Sequence, residues 1–113
     1  MSDCIFCKIA EGEIPSEIVY QDDKIVVFKD ASPQAPVHVL MVPRKHIASL
    51  DDLSEEDSEL IAYMMQSIKK IAASQGLGNG YRVIINTGEE GQQTVKHLHI
   101  HILGGRKFTW PPG

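Results

Sequence analysis

The chain has 113 residues, of which 42% are hydrophobic and 23% are charged, and its formal net charge at pH 7 is −4. This length predicts a single domain, residues 1–113, and the acidic balance excludes a general nucleic-acid coat, which requires a basic face. Because no apolar run reaches the ~20 residues that span a bilayer, and the N-terminus lacks the features of a secretory signal, we expect a cytoplasmic protein that binds no membrane.

The first half of the chain predicts a short helix followed by strands. The N-terminal segment 4–14 is typical of a helical turn that ends near Gly12. Three segments rich in β-branched and apolar residues predict strands: Ile18–Tyr20, Ile25–Lys29 and the stretch "VHVLMVP" at 37–43. A polar turn separates the first two strands, and a proline-rich loop precedes the third.

The second half predicts one long helix and two more strands. Ser54 and Asp57 have the spacing of a capping box, and apolar residues then recur every three or four positions up to Gly76. The residues of this apolar face are Leu60, Ile61, Met64, Met65, Ile68, Ile71 and Ala72. The segments "YRVIIN" and "HLHIHIL" are typical of strands, and the glycine-rich loop "TGEEGQQT" (87–94) joins them. The order β-β-β-α-β-β predicts an α+β fold in which the long helix covers one face of a mostly antiparallel five-stranded sheet.

The last predicted strand carries a histidine at every second position: His97, His99 and His101. Successive strand residues point to opposite faces, so we expect the three imidazoles to share one face, while the apolar residues between them face the helix. Such a row can be interpreted in three ways: as a solvated polar face, a metal site or a phosphate-transfer site. Side chains in a straight row fan out, which disfavours one metal ion bound by all three. An imidazole that titrates near pH 6.5 suits both nucleophilic attack and phosphate binding, and the nearby glycines and the hydroxyl of Thr94 favour that reading.

Both cysteines of the chain, Cys4 and Cys7, form a Cys-x-x-Cys pair. In a reducing compartment this spacing is typical of a metal or redox pair rather than a structural disulfide. No thioredoxin-like βαβ pattern surrounds the pair, which disfavours a redox role. Two small buried thiols are the structural alternative.

Three stretches resemble a known family. "HLHIHIL" resembles the signature of the histidine-triad (HIT) superfamily of nucleotide hydrolases and transferases. "DASPQAPVHVLMVPRKHI" and the tail "LGGRKFTWPPG" resemble its histidine-triad nucleotide-binding branch, the purine nucleoside phosphoramidases, and the likeness runs from about Phe6 to Gly113. The resemblance implies a HIT-like fold whose sheet continues across a homodimer. It also implies cleavage of the P–N bond of adenosine or guanosine 5'-phosphoramidates through a nucleotidyl-histidine intermediate.

The resemblance also assigns roles to individual residues. The nucleophile would be His99, with His101 and Thr94 as its catalytic partners; the family usually has serine at the position of Thr94. The residues expected to bind an AMP- or GMP-type purine nucleotide are His38, Asp30, Ala31, Asn86, Gln93, Phe6, Ile9, Ile14 and, from a tail that crosses to the other subunit, Trp110. Plain core packing is the alternative role for Phe6, Ile9 and Ile14.

Some superfamily members carry a structural zinc ion on two cysteines and two histidines. The matching residues here are Cys4, Cys7, His46 and His97, and no cofactor is needed for the chemistry itself. Three other functions remain as alternatives. They are a dinucleoside polyphosphate hydrolase, which the "SPQAP" loop and the "WPPG" ending disfavour, a nucleotide-binding adaptor, and a zinc-dependent structural module.

Overall fold

The computed structural model describes residues 3–113 and arranges them in an α+β fold. The helices and strands within that range are α1 (Ile5–Ala10), β1 (Ile18–Gln21), β2 (Ile25–Lys29), β3 (Val37–Pro43), α2 (Ser58–Ser74), β4 (Tyr81–Ile84) and β5 (Ile100–Gly104). Two short 3₁₀ turns, Leu50–Asp52 and Glu55–Asp57, lie between β3 and α2. The predicted fold class and element order are confirmed.

The five strands form one antiparallel sheet in the order β1-β2-β3-β5-β4. The last strand of the chain is therefore internal, between β3 and β4, and β1 and β4 are the edges. The register of β3 and β5 sets Leu40 opposite His101 and His38 opposite Leu103. Because residues two apart on a strand share a face, His38 and His101 lie on the same side of the sheet as diagonal neighbours.

Helix α2 covers the other side of the sheet. Its residues Met64, Ile68 and Ile71 pack in one buried cluster with apolar residues of the three central strands. The strand residues of this cluster are Ile25, Val27, Val39, Met41, Ile100 and Ile102. Met65 was predicted to share the buried face, but that prediction is wrong, since its side chain is 41% exposed. No helix within residues 3–113 is both long and apolar enough to cross a membrane.

The capping box forms as predicted, but it begins a 3₁₀ turn rather than the helix itself. The Ser54 main-chain N–H donates to Asp57 Oδ2 at 3.0 Å, and α2 starts one turn later, at Ser58. The helix ends at Ser74, and Gly76 follows with a φ of +77°, the left-handed conformation that glycine adopts most readily.

Asp22 joins the β1–β2 turn to α2. Its Oδ1 accepts hydrogen bonds from the main-chain N–H groups of Lys24 (2.8 Å) and Ile25 (2.9 Å), and its Oδ2 accepts from the hydroxyls of Tyr20 (2.8 Å) and Tyr63. Burial alone would raise the pKa of Asp22, but these hydrogen bonds together hold that pKa well below its usual range. The turn and the helix are therefore connected through an ionised carboxylate.

A second, smaller core lies on the side of the sheet that α2 leaves open. Phe6, Ile9 and Ala10 of α1 pack there against apolar residues of β2 and β3, namely Val26, Phe28, Leu40 and Val42. Arg44 holds the end of α1 beside this core, because its guanidinium donates to the Ala10 carbonyl at 2.6 Å. This side of the sheet also carries the histidines of the site.

The last strand is shorter than predicted, since β5 begins at Ile100 and the ladder with β3 starts there. Of the histidine row, only His101 belongs to the strand. His97 and His99 lie in the segment that leads into it, outside the ladder. Strand pairing therefore does not fix their directions, but the Phe6 ring of α1 packs against both the His97 and the His99 rings, and the His99 ring lies 5.0 Å from the His101 ring. The three imidazoles thus lie on the α1 side of the sheet, as predicted, although only His101 belongs to the strand.

Candidate functional site

A pair of histidines and a carboxylate meet where β3 and β5 run side by side. His38 Nε2 lies 2.9 Å from His101 Nδ1 and 3.4 Å from Asp30 Oδ2. His38 is buried and His101 is half-buried. The sheet register places the two histidines, and the end of β2 places Asp30 next to them.

A hydrogen bond from a main-chain group determines where the protons of His38 and His101 lie. The main-chain N–H of Gln34 donates to His38 Nδ1 at 3.0 Å. A neutral His38 therefore carries its proton on Nε2 and donates it to His101 Nδ1, so a neutral His101 carries its own proton on Nε2. Sequence reasoning did not identify Gln34, because the donor is a main-chain group and only the loop "SPQAP" indicated its region.

His101 Nε2 is a buried nitrogen with no hydrogen-bond partner among the described residues. Buried polar groups are almost always paired in folded proteins, so a donor left in this state is a candidate ligand-binding group. The same proton assignment disfavours a metal ion on Asp30, His38 and His101, whose ligand atoms lie within 4.8 Å of one another, because the proton on His38 Nε2 occupies the nitrogen that would bind it.

Burial keeps both histidines neutral at pH 7. It lowers the pKa of His101 to about 4, and repulsion from the neighbouring His99 and His38 rings adds to that effect. Burial also lowers the pKa of His38, although the charge of Asp30 opposes the change. In the absence of a ligand, His101 is therefore a neutral hydrogen-bond donor rather than a cation.

His99 is buried next to this pair, with its ring centroid 5.0 Å from that of His101. Its Nδ1 lies 2.7 Å from the main-chain carbonyl oxygen of His97, which can only accept a hydrogen bond. The proton of a neutral His99 is therefore on Nδ1, and Nε2 carries the lone pair that a nucleophile needs. The Phe6 ring contacts the His99 ring edge-on, with centroids 5.0 Å apart and planes at 83°.

The loop 87–94 lies beside an open groove of about 810 Å³, which Thr94, Gln93 and Thr87 line together with Ser49 and Asp51. The amide group of Gln93 braces this loop. Its Nε2 donates to the carbonyls of Ala48 (2.7 Å) and Val95 (3.0 Å), and its Oε1 accepts from the N–H of Gly88 (3.2 Å). The predicted phosphate contact of Gln93 stays a prediction, while its role in holding the loop is directly visible. The Thr94 side chain is exposed at the same loop.

The remaining residues predicted to bind the nucleotide are spread around the histidines. Phe6 and Ile9 belong to the second core and are at most 9% exposed, Ile14 packs against that core, and Asn86 is half-buried. Asp30 and Ala31 lie just after β2, where Asp30 Oδ1 accepts from the N–H of Ser32 at 2.7 Å. Core packing is thus a role of Phe6 and Ile9 in this structure, and nucleotide contact stays a prediction for the whole set.

The C-terminal tail is anchored by Phe108, whose ring contacts two guanidinium groups. The Arg82 and Arg106 carbons Cζ are 4.9 and 4.3 Å from the ring centroid, and Arg82 also donates to the Thr109 carbonyl at 2.9 Å. Beyond this anchor, Trp110 is 80% exposed. The tail of a single chain therefore presents its tryptophan outward.

Cys4, Cys7, His46 and His97 converge at the N-terminal end of the histidine segment, as predicted. Cys4 Sγ lies 3.2 Å from His97 Nδ1, Cys7 Sγ lies 3.3 Å from His46 Nδ1, and the two Nδ1 atoms are 3.2 Å apart. Tetrahedral zinc bond lengths would separate a sulfur and a nitrogen by ~3.5 Å and two nitrogens by ~3.3 Å. The spacings of these four side chains therefore fit a zinc ion to within a few tenths of an ångström.

The surroundings of His97 support the same interpretation. His97 is fully buried, and its Nε2 lies 2.8 Å from the main-chain carbonyl of Pro43. That carbonyl can only accept, so the proton of a neutral His97 is on Nε2 and Nδ1 carries the lone pair facing the cluster. Metal-binding histidines usually have such a partner on the other ring nitrogen. Burial also lowers the pKa of His97, which favours the neutral ring that a metal requires.

Comparisons with known proteins match nearly the whole chain. The family model described as scavenger mRNA decapping enzyme C-term binding matches residues 3–109. An uncharacterized HIT-like protein of Synechococcus elongatus is 52% identical over 111 residues, which are 98% of this chain and 97% of that relative. A HIT family hydrolase from Legionella pneumophila, known from its crystal structure, shares 50% sequence identity with this chain. The two structures superpose with a TM-score of 0.96 over 98% of this chain and 100% of the other. A histidine triad nucleotide-binding protein from Candida albicans is 31% identical, with a TM-score of 0.83 over 98% of this chain and 85% of the other.

Proposed function

The chain belongs to the histidine-triad (HIT) family, and we propose that it is a hydrolase that cleaves the P–N bond of purine nucleoside 5'-phosphoramidates. The observation that carries the proposal is the complementary state of two adjacent imidazoles. His99 has its lone pair on Nε2, and His101 has an unpartnered N–H on Nε2. The first suits attack on a phosphorus atom, and the second suits a hydrogen bond to an oxygen of the same phosphate.

We propose that the reaction proceeds in two displacements at the α-phosphorus. His99 Nε2 forms a bond to phosphorus while the P–N bond breaks, and the nitrogen takes a proton from the solvent and leaves as a neutral amine. Water then attacks the phosphorus of the nucleotidyl-imidazole and breaks its P–N bond to His99, which releases the nucleoside monophosphate, returns one proton to the solvent and restores neutral His99. Dividing one displacement into two in this way is the usual benefit of a covalent intermediate. The hydrogen bond from His99 Nδ1 to the His97 carbonyl becomes stronger as the ring gains positive charge during the attack.

His101 and His38 would act on the phosphate oxygens in series. His101 Nε2–H donates to an oxygen directly, and His38 keeps that proton in place by donating to His101 Nδ1. His38 has both nitrogens engaged within the protein, so we assign it a positioning role rather than the direct phosphate contact expected from the sequence. A donor fixed before the substrate arrives needs no reorganisation during the reaction.

Nucleotide recognition is proposed for residues around these histidines. Asp30 would accept hydrogen bonds from the vicinal ribose hydroxyls, for which a carboxylate is well suited. The purine would lie along the second core, and the residues proposed for this contact are Phe6, Ile9, Ile14 and Ala31. Asn86, Gln93 and Thr94 would lie towards the ribose and the α-phosphate.

We propose that the four-residue cluster holds a structural zinc ion. Cys4, Cys7, His46 and His97 would supply all four ligands, which leaves no position for a water molecule, so the ion would stabilise the fold and perform no chemistry. Metal analysis of purified protein should find about one zinc ion per chain, and Cys7→Ser should reduce that content. A protein that is folded and active without metal would remove this part of the proposal.

A homodimer is proposed from the exposed edge of the sheet. Strand β4 is an edge strand, and its residues Tyr81 and Val83 are 41% and 38% exposed, which is an unusual apolar surface for a strand with unpaired main-chain groups. Pairing of two β4 strands would cover this surface and bring each tail, with Trp110, towards the other subunit. Sedimentation equilibrium should give twice the chain mass, and Val83→Lys should shift the protein towards monomers.

The activity is tested with adenosine 5'-phosphoramidate. The wild-type protein should release AMP and ammonia, and acid-quenched samples should contain a nucleotidylated protein by intact mass. His99→Ala should bind AMP but form neither product. Thr94→Ser and Thr94→Ala form a matched pair, since only the first retains a hydroxyl, and it should keep more of the activity. If His99→Ala turns over as fast as the wild type, the proposed function is wrong.

A further inference from the structure

His97 belongs to two sites at once. Its ring contributes Nδ1 to the cysteine–histidine cluster, 3.2 Å from Cys4 Sγ and 3.4 Å from Cys7 Sγ. Its main-chain carbonyl accepts the hydrogen bond from His99 Nδ1 at 2.7 Å. One residue thus contacts the proposed zinc site with its side chain and the proposed nucleophile with its main chain.

Phe6 makes a second connection between the same two sites. It lies between Cys4 and Cys7 in the first turn of α1, where Cys4 Sγ accepts from the N–H of Cys7 at 3.2 Å. Its buried ring meets the His97 ring at a centroid distance of 6.2 Å and the His99 ring at 5.0 Å. Whatever fixes the two cysteines therefore also fixes the ring that packs on His99.

The segment that carries His97 and His99 depends on such contacts, because the β-ladder does not hold it. The pairing of β5 with β3 ends at Ile100. Before that residue, the main chain is held by hydrogen bonds from the Leu98 N–H to the Ile47 carbonyl (2.6 Å) and from Gln93 Nε2 to the Val95 carbonyl (3.0 Å). The buried side chain of Leu98 and the ring of His97, which lies 2.8 Å from the Pro43 carbonyl, also hold it. A change at the cluster is therefore transmitted directly to the residues just before the strand.

We propose that the cluster positions the nucleophile, with His97 and Phe6 as its positioning residues. Zinc bound by Cys4, Cys7, His46 and His97 fixes the His97 carbonyl, which keeps the proton of His99 on Nδ1 and leaves Nε2 directed at the phosphate. The inference rests on the proposed function for the identity of the nucleophile. It differs from a purely structural zinc, which would stabilise the fold without changing the state of the His99 ring.

Thermodynamic linkage supplies the first test. If zinc and nucleotide are coupled through His99, each must change the affinity of the other by the same factor. The zinc affinity of the intact, zinc-loaded protein is measured by competition with a chelator, with and without saturating AMP. We expect AMP to strengthen zinc binding about fivefold or more in the wild type. In His99→Ala, which should still bind AMP, the effect should disappear.

The second test measures the tautomer of the His99 ring by ¹⁵N NMR of the histidine side chains. Zinc-loaded protein should show a single His99 tautomer protonated on Nδ1, and Cys4→Ser should show a mixture of both tautomers. Phe6→Leu retains all four zinc ligands, so it tests the packing of the Phe6 ring on His97 and His99 in a protein that still binds metal. This variant should also show a mixture of the two His99 tautomers. Tyr63→Phe is the matched control, because it removes a hydrogen bond to Asp22 and leaves both sites intact. It should keep the single tautomer.

The outcomes separate this inference from the proposed function. Equal coupling in the wild type and in His99→Ala overturns the inference, because the coupling then bypasses the nucleophile. A single His99 tautomer that persists in both Cys4→Ser and Phe6→Leu overturns it as well. Failure of the wild-type protein to bind AMP, or full activity of His99→Ala, overturns the proposed function instead.

Discussion

Acidification provides a quantitative test of the environment of His101. In the unfolded chain a histidine titrates near pH 6.5, whereas burial, reinforced by the neighbouring His99 and His38 rings, lowers the pKa of His101 to about 4 in the folded protein. Between these values the unfolded state binds a proton that the folded state does not. The free energy of unfolding should therefore fall as the pH falls from 6.5 to 4 and should receive no further contribution from His101 below pH 4.

The size of this effect follows from the two pKa values. A difference of about 2.5 in pKa corresponds to roughly 3 kcal/mol. Because the His101 side chain is only half-buried, solvent screens part of this energy. We therefore expect a loss of about 1–2 kcal/mol on acidification.

Urea unfolding at pH 7, 5.5 and 4 measures this loss in the wild type and in His101→Asn, whose side chain does not titrate. His38 and His97 also have lowered pKa values, but they are present in both proteins. The difference between the two proteins therefore isolates His101. The wild type should lose about 1–2 kcal/mol more than the variant between pH 7 and pH 4.

A variant that loses stability on acidification as steeply as the wild type would refute the assigned cause. An NMR titration of the His101 ring gives an independent check of the pKa itself. It should lie near 4 in the ligand-free protein and should rise when AMP binds, because a phosphate dianion favours the protonated ring. An unchanged pKa in the complex would place the phosphate elsewhere.

Three further changes test the core, the loop 87–94 and the hydrogen-bond relay, which runs from the Gln34 N–H through His38 to His101. Gln34→Pro removes the main-chain N–H that donates to His38 and should lower kcat roughly 10- to 100-fold in steady-state assays. Gln34→Ala keeps that N–H and should stay active, so equal rates for the two variants would contradict the relay. Ile71→Ala opens the core under α2, where Ile71 is 1% exposed, and should cost roughly 2–5 kcal/mol in urea unfolding. A cost well below 1 kcal/mol would mean that the helix repacks without a cavity. Gly91→Ala places a Cβ against the main-chain oxygen of Thr87, so the loop must shift. This variant should lose activity roughly 10- to 100-fold at unchanged zinc content, and wild-type activity would show that the loop position does not matter.

The fold was predictable because its signals are local. Apolar spacing along α2, β-branched runs in β2 and β3, and the glycine at position 76 act within a few residues, and each produced the element that its pattern predicts. The differences arise where the outcome depends on which other element of the fold packs or pairs with the residue. Met65 directly follows the buried Met64 but is itself 41% exposed, and the predicted last strand begins at His97 whereas its pairing with β3 begins only at Ile100.

The residues of the site were also identifiable from the sequence, since histidine and cysteine are uncommon and their spacing is specific. Cys4 and Cys7 indicated a metal or redox pair, and the resemblance to the HIT family supplied their two histidine partners. The structure brings all four side chains together. The sequence by itself thus determined the chemical groups that are available: three imidazoles in a row, two thiols and a carboxylate after the second strand.

Only the tertiary structure decided what each imidazole can do. The His97 ring turns into the cluster, His99 points its lone pair away from a carbonyl, and His101 holds an unpaired proton at the end of a relay. These states depend on main-chain groups of Pro43, Gln34 and His97 itself. Every residue has such groups, so they leave no mark in the sequence, and the state of an imidazole depends on which donor or acceptor the fold places beside it.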